Sequence, residues 1–142
     1  MNKLLVPIDG SEAAGRALQT AISLCKQREE ECHITLVHVI SPESYPNVGA
    51  AGISINVDEA FKQEGEELLR HTIEEIDNKG IKIDAVLLEG TPEKAICEYA
   101  DKNKYEIIVM GNRGRGAIKE FFLGSVSKKV LDDAICPVLI VK

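Results

Sequence analysis

Residues 105–127 read YEIIVMGNRGRGAIKEFFLGSVS, and this stretch decides the fold. It begins with a short apolar run, typical of a buried strand, and crosses a glycine-rich loop before a helix-forming segment that starts at about Ser125. A buried strand that leads through such a loop into a helix is typical of parallel α/β sheets. Glycines let backbone N–H groups approach a ligand closely, and a helix N-terminus adds further donors, so the same stretch is a candidate anion site.

The remainder of the chain repeats this alternation of apolar strands and amphipathic helices. We predict strands at residues 3–8, 33–40, 81–88, 105–110 and 137–142, and helices at residues 12–27, 57–78, from 92 onward and 125–134. Gly80 is predicted to cap the C-terminus of the second helix, and Thr91 the N-terminus of the third. Residues 41–56, with two prolines and two glycines, are predicted to form a long loop.

Strict alternation of strand and helix predicts an α/β, doubly wound (Rossmann-like) fold in a single domain over residues 1–142. Right-handed crossovers favour a five-stranded parallel sheet in the order 3-2-1-4-5, with helices on both faces. In this order the connections from strands 1 and 4 leave in opposite directions, which opens a ligand crevice at their C-terminal ends. Asp9 follows strand 1 and Gly111 follows strand 4, so we expect both residues to line that crevice.

The glycine-rich loop carries positive charge in an acidic protein. The whole chain has a net charge of -6, yet basic residues greatly outnumber acidic ones between Gly111 and Lys129. The charged residues there are Arg113, Arg115, Lys119, Glu120, Lys128 and Lys129. This local inversion of charge favours a polyphosphate ligand. A flexible loop with a solvated basic face is the alternative.

Two familiar phosphate-binding loops do not match the sequence. A Walker A loop has a lysine directly after its second glycine, but Ala117 follows Gly116. A dinucleotide fingerprint should follow the first strand, where residues 9–12 read DGSE. The usual nucleotide-hydrolysing and dinucleotide-dependent enzyme classes are therefore disfavoured.

Bulk composition limits the classes of partner. A net charge of -6 disfavours nucleic acid or an anionic membrane. The N-terminal residues show no signal-peptide pattern, and no apolar run approaches the roughly 18 residues of a membrane span, so we expect a cytoplasmic protein. The cysteines form no C-x-x-C pair and are expected to be buried, reduced thiols rather than a disulfide or zinc site. They are Cys25, Cys32, Cys97 and Cys136.

The spacing Gly111-x2-Gly114-x9-Gly124-Ser125 resembles the ATP-binding signature of the universal stress protein family. The likeness extends to both ends of the chain. Residues 5–11 (LVPIDGS) are similar to the start of that family, and residues 124–127 (GSVS) and 136–141 (CPVLIV) are similar to its close. Three separated glycines and a serine make the resemblance specific.

The resemblance implies an ATP site, and its roles can be assigned residue by residue. Pro7, Ile8 and Asp9 would lie beside the adenosine, with Asp9 near the ribose, and the Val39 backbone would bond the adenine. Met110 and Gly111 would lie against the nucleoside. The phosphates would be held by Gly114, Gly124, Ser125, Val126 and Ser127, with added charge from Arg113 and Arg115. ADP and AMP share the adenosine contacts, Mg²⁺ on the phosphates stays open, and a plain helix-capping role is the alternative for Asp9.

The fifth strand predicts an interface. Its residues are apolar on both faces and are expected at a sheet edge, which invites pairing with another chain. They are Pro137, Val138, Leu139, Ile140 and Val141. The resemblance implies a homodimer built through this strand, whereas an edge covered within the monomer is the alternative.

The resulting functional hypothesis is a cytoplasmic ATP-binding stress or signalling protein, acting as a nucleotide sensor and homodimer. No dedicated base for attack on a phosphate is evident, so a rapid enzyme is not expected. Two alternatives stay open. One is a nucleotide-independent dimeric interaction module, and the other is slow ATP hydrolysis or self-phosphorylation.

Overall fold

The computed structural model describes residues 2–41, 54–114 and 123–142, with side chains in the second range from residue 59 onward. Strands and helices alternate along the chain, as predicted. The strands are β1 (Asn2–Pro7), β2 (Cys32–Ile40), β3 (Lys82–Glu89), β4 (Ile107–Gly111) and β5 (Val138–Val141). The helices are α1 (Glu12–Lys26), α2 (Ser54–Glu75), α3 (Pro92–Lys102) and α4 (Ser125–Asp133).

The five strands form one parallel sheet in the order β3-β2-β1-β4-β5, which confirms the predicted topology. β1 lies at the centre, and Leu4 is aligned with Ile34 of β2 on one side and Ile107 of β4 on the other. From this centre the chain runs outward twice, first through β2 to β3 and then through β4 to β5. The reversal of direction lies between β1 and β4, where a crevice was expected.

The core consists of two layers, because alternate residues of each strand point to opposite faces of the sheet. Leu4, Val6 and Leu36 pack on the face covered by α1 and α2. Leu5 and Val37 pack on the other face, with Ile96 of α3 and Val130 of α4. Helices therefore cover both faces, as predicted. None of the helices in the described ranges is long and apolar enough to cross a membrane.

The α2 boundaries differ from the prediction. The helix begins at Ser54, inside the predicted loop, and residues 42–53 of that loop lie outside the described residues. It ends at Glu75, so the prediction that Gly80 caps it is wrong. The side chains of Asp77 and Asn78 accept hydrogen bonds from the N–H groups of Lys79 and Gly80, at 3.1 and 2.8 Å. Such local bonds compete with the helical ones, and Gly80 then serves the turn before β3 with a φ of 84°.

Two of the four cysteines form a disulfide, which corrects the prediction of reduced thiols. Cys25 lies in the last turn of α1 and Cys32 is the first residue of β2, and their Cα atoms are 5.4 Å apart. The short connection turns back on itself and brings the two sulfurs together, which sequence spacing alone does not reveal. Cys97 and Cys136 are free and half-buried, and burial raises the pKa of both thiols.

Candidate functional site

A cleft of about 620 Å³ lies at the C-terminal ends of the central strands, within the usual size range of small-molecule sites. All twelve residues predicted to bind ATP line it: Pro7, Ile8, Asp9, Val39, Met110, Gly111, Arg113, Gly114, Gly124, Ser125, Val126 and Ser127. They come from four separate segments of the chain. The fold therefore brings the predicted set together, and their contact with a nucleotide stays a prediction.

The floor of the cleft is built around Asp9. Its Oδ1 accepts a hydrogen bond from the Ser11 N–H at 2.9 Å, while the Ser11 hydroxyl accepts from the Ala14 N–H at 3.1 Å. Ser11 is thus the N-cap of α1, and Asp9 orders the turn before it. A Cβ placed on Gly114 would lie 2.6 Å from Asp9 Oδ2. Glycine at position 114 therefore lets the loop after β4 lie directly against this carboxylate.

The two ends of the glycine-rich loop are joined by hydrogen bonds. The Gly124 N–H donates to the Asn112 carbonyl at 2.7 Å, and the Ser127 hydroxyl donates to the Gly111 carbonyl at 2.8 Å. The Asn112 N–H in turn donates to the Val141 carbonyl at 2.8 Å, which fixes the loop to β5. Sequence reasoning missed Asn112. It is buried at the loop base, and its backbone groups make these bonds, so no side-chain pattern in the sequence indicates its role.

The N-terminus of α4 opens on the cleft. Gly124 is its N-cap and makes no side-chain cap bond, and the first turn holds no acidic residue. The first N–H groups of a helix have no partner within it, so those of residues 125–127 are suited to an anion. Ser127 is buried and its hydroxyl donates to the Gly111 carbonyl, so Ser127 is suited to offer its backbone rather than its side chain. Ser125 is exposed.

Only part of the positive charge predicted for the glycine-rich loop lies at the cleft in the described residues. Arg113 lines it. Lys129 instead lies 3.4 Å from Glu93 of α3. The pKa of Glu93 is lowered, chiefly by a hydrogen bond to its own backbone and further by Lys129. Arg115, Lys119 and Glu120 lie outside the described residues.

The apolar wall of the cleft comes from β2 and its neighbours. The Ile8 side chain is buried in the core, so Ile8 presents its backbone to the cleft. Sequence reasoning missed several further lining residues: Ser11, Ala14, Val37, His38, Ser41, Pro92, Ile96 and Leu123. Asp9 is the only carboxylate among the described lining residues, and no cluster of three or more metal-ligating side chains occurs anywhere in the described ranges.

Comparison with known proteins gives matches to a single family over the whole chain. The model described as the universal stress protein family matches residues 1–142. Universal stress protein MJ0531 of Methanocaldococcus jannaschii is 36% identical over 140 residues, which cover 99% of this chain and 81% of that protein. Universal stress protein YxiE of Bacillus subtilis is 35% identical over 149 residues, which cover 99% of each chain.

Solved structures share the same architecture. The structure of the hypothetical protein MJ0577 of M. jannaschii superimposes with a TM-score of 0.87 at 28% identity, covering 99% of this chain and 95% of that one. A universal stress protein solved in complex with cAMP gives a TM-score of 0.70 at 26% identity, covering 99% and 97%. With a family match from the first residue to the last, relatives of 35–36% identity and a shared fold, the chain belongs to the universal stress protein family.

Proposed function

We propose that the protein binds an adenine nucleotide, ATP or its products ADP and AMP, in the cleft between β1 and β4. Binding would report nucleotide status in a cytoplasmic stress response, with the homodimer as the acting unit. The observation that carries this proposal is that the α4 N-terminus and an apolar wall converge on one cleft. A nucleotide has the same two halves, a polyanionic tail and a flat apolar base.

The two halves of the cleft suit the two halves of the ligand. Toward α4, the N–H groups of the first turn, which have no partner within the helix, favour phosphate together with the Gly114 backbone and Arg113. Toward β2, Val39, Met110 and Ile96 offer apolar surface for a nucleoside. Asp9 lies on the β1 side of the glycine-rich loop, and its carboxylate is suited to accept from a ribose hydroxyl. The cAMP complex of the relative at 26% identity supports an adenosine phosphate as the ligand class.

A sensor fits this cleft better than a rapid enzyme. Asp9 already accepts from the Ser11 N–H, and His38 Nδ1 is bonded to a backbone carbonyl. Neither is placed as a dedicated base by the contacts of the described residues. Mg²⁺ would be held mainly by the phosphates, since Asp9 is the only described carboxylate of the lining. We therefore expect AMP affinity to be independent of Mg²⁺ and any ATP turnover to be slow.

The direct test is calorimetric titration of the purified protein with ATP, ADP and AMP, preceded by mass spectrometry of nucleotide released from fresh protein. Gly114→Ala should weaken ATP binding at least about tenfold, because its new Cβ would meet Asp9 Oδ2 at 2.6 Å and push this carboxylate from its place beside the loop. Gly15→Ala is the matched control. A Cβ there meets nothing within 4 Å, so binding should be unchanged. Absence of binding by the wild type up to millimolar nucleotide would exclude the proposed function.

We also propose that two copies pair through β5. This strand is at the edge of the sheet. In the β4–β5 ladder the Pro137 and Val141 carbonyls accept from Ile108 and Asn112, at 3.0 and 2.8 Å. Backbone groups alternate in direction along a strand, so those of Val138 and Ile140 point away from β4. A second β5 is a suitable partner for these outward donors and acceptors.

A further inference from the structure

The carbonyl of Ile8, one residue beyond β1, is bonded to a side chain. The Ile8 N–H donates to the Val37 carbonyl at 2.8 Å and so continues the parallel ladder past Pro7. The next bond of that ladder would run from the Val39 N–H to the Ile8 carbonyl. Among the hydrogen bonds that join described residues, this oxygen is instead 2.7 Å from His38 Nδ1 and has no bond to Val39. A carbonyl only accepts, so Nδ1 carries the proton.

The Val39 peptide groups therefore open on the cleft. Residues 37 and 39 direct their backbone groups to the same side of β2, toward β1, and β1 ends at Pro7. The Ile40 carbonyl points the other way and accepts from the Gly90 N–H at 2.9 Å, which confirms the alternation. Val39 thus offers one donor and one acceptor beyond the end of the neighbouring strand. Adenine carries an amino donor beside ring-nitrogen acceptors and matches such a pair.

The His38 ring is held in this position by α2. A Cβ on Gly65 would lie 3.1 Å from His38 Cδ2 and 2.7 Å from Leu87 Cδ1, so only a glycine lets the helix lie this close to the ring. His38 lines both the nucleotide cleft and a second cavity beneath α2. Packing against α2 and the bond to Ile8 together fix its orientation.

We propose that His38 is a positioning residue for nucleotide binding. By taking the Ile8 carbonyl as its own acceptor, the ring keeps the β1–β2 ladder from closing over Val39 and leaves the Val39 N–H for the adenine. This inference rests on the proposed nucleotide site. It holds that His38 keeps the site open for the adenine without needing to contact the ligand itself.

Three substitutions separate this role from general packing. In His38→Asn the amide nitrogen is attached to Cγ, as Nδ1 is, and can donate to Ile8. In His38→Gln the nitrogen lies one bond farther out, and His38→Leu has no donor. We expect ATP binding within about threefold of wild type for the Asn variant and weaker by about tenfold for the other two, measured by calorimetry on proteins shown to be folded by thermal melting. Equal binding by the Leu variant and the wild type would overturn the proposal, as would equal loss in all three.

A second measurement needs no nucleotide and keeps the two proposals separate. Amide hydrogen exchange, followed by NMR, should show Val39 exchanging faster than Val37 in the free wild type and in His38→Asn. In His38→Leu the Val39 amide should become protected, because the Ile8 carbonyl is released to it. Equal protection of Val39 in wild type and His38→Leu would contradict the role of His38. If the wild type fails to bind nucleotide, the proposed function fails, and the exchange pattern still decides what His38 does.

Discussion

At the scale of single residues, Gly111 and Gly114 have different reasons to be glycine. A Cβ on Gly114 would meet a carboxylate at the end of a side chain, whereas a Cβ on Gly111 would lie 2.7 Å from both the backbone carbon and the Cβ of Ala13 in α1. Backbone in a packed core moves less readily than a side chain. Position 111 therefore sets how closely α1 approaches β4.

We expect Gly111→Ala to lower the free energy of unfolding by roughly 1–3 kcal/mol, the usual cost of overpacking a core. Urea denaturation, monitored by circular dichroism, measures this free energy. Gly15→Ala, in the exposed interior of α1 with open space around it, should instead raise stability by about 0.5–1 kcal/mol. Equal stability of Gly111→Ala and the wild type would mean that α1 shifts freely over the sheet.

Tyr105 should make the free energy of unfolding depend on pH, and the direction follows from its burial. It is buried, its hydroxyl donates to Thr35 Oγ1 at 2.8 Å, and burial raises its pKa to about 12. Between about pH 10 and 12 the unfolded chain releases this proton while the folded protein keeps it, so stability falls as pH rises. The wild type should lose of the order of 2 kcal/mol more than Tyr105→Phe over this range. Parallel stability curves for the two proteins, from urea melts at each pH, would contradict the assignment.

At the scale of elements, the connection between α1 and β2 is closed by the Cys25–Cys32 disulfide, which spans seven positions. A short closed loop removes less entropy from the unfolded chain than a long one, and we expect a contribution of about 2–3 kcal/mol. Thermal unfolding with and without reductant should show the loss in the wild type and no change in Cys32→Ser. Free thiols at both positions in mass spectrometry of unreduced protein would rule the bond out.

At the scale of the whole molecule, the proposed dimer can be tested without disturbing the sheet. Ile140→Pro removes an N–H that points away from β4, whereas Leu139→Pro removes one that the β4–β5 ladder requires. We expect the Ile140 variant to be a folded monomer and the Leu139 variant to lose stability sharply. Sedimentation velocity over a range of concentrations distinguishes these outcomes. A monomeric wild type, or a dimeric Ile140→Pro, would exclude pairing through β5.

Most of the fold followed from local patterns. Apolar runs placed all five strands to within two residues, because strands covered by helices are largely apolar. The C-terminal end of α2 was misplaced because the side chains of Asp77 and Asn78 accept hydrogen bonds from the N–H groups of Lys79 and Gly80. Hydrophobic periodicity does not reveal where side-chain hydrogen bonds compete with those of the helix backbone.

The sequence by itself determined the alternation of elements, and through chain crossing rules the strand order and the crevice where Asp9 and the glycine-rich loop meet. Only the tertiary structure decided that Cys25 meets Cys32, that Asn112 joins the loop ends, and that His38 takes the Ile8 carbonyl. The physical reason is range. Hydrophobic pattern and turn chemistry act along the chain, whereas these bonds depend on where the folded backbone places two groups in space.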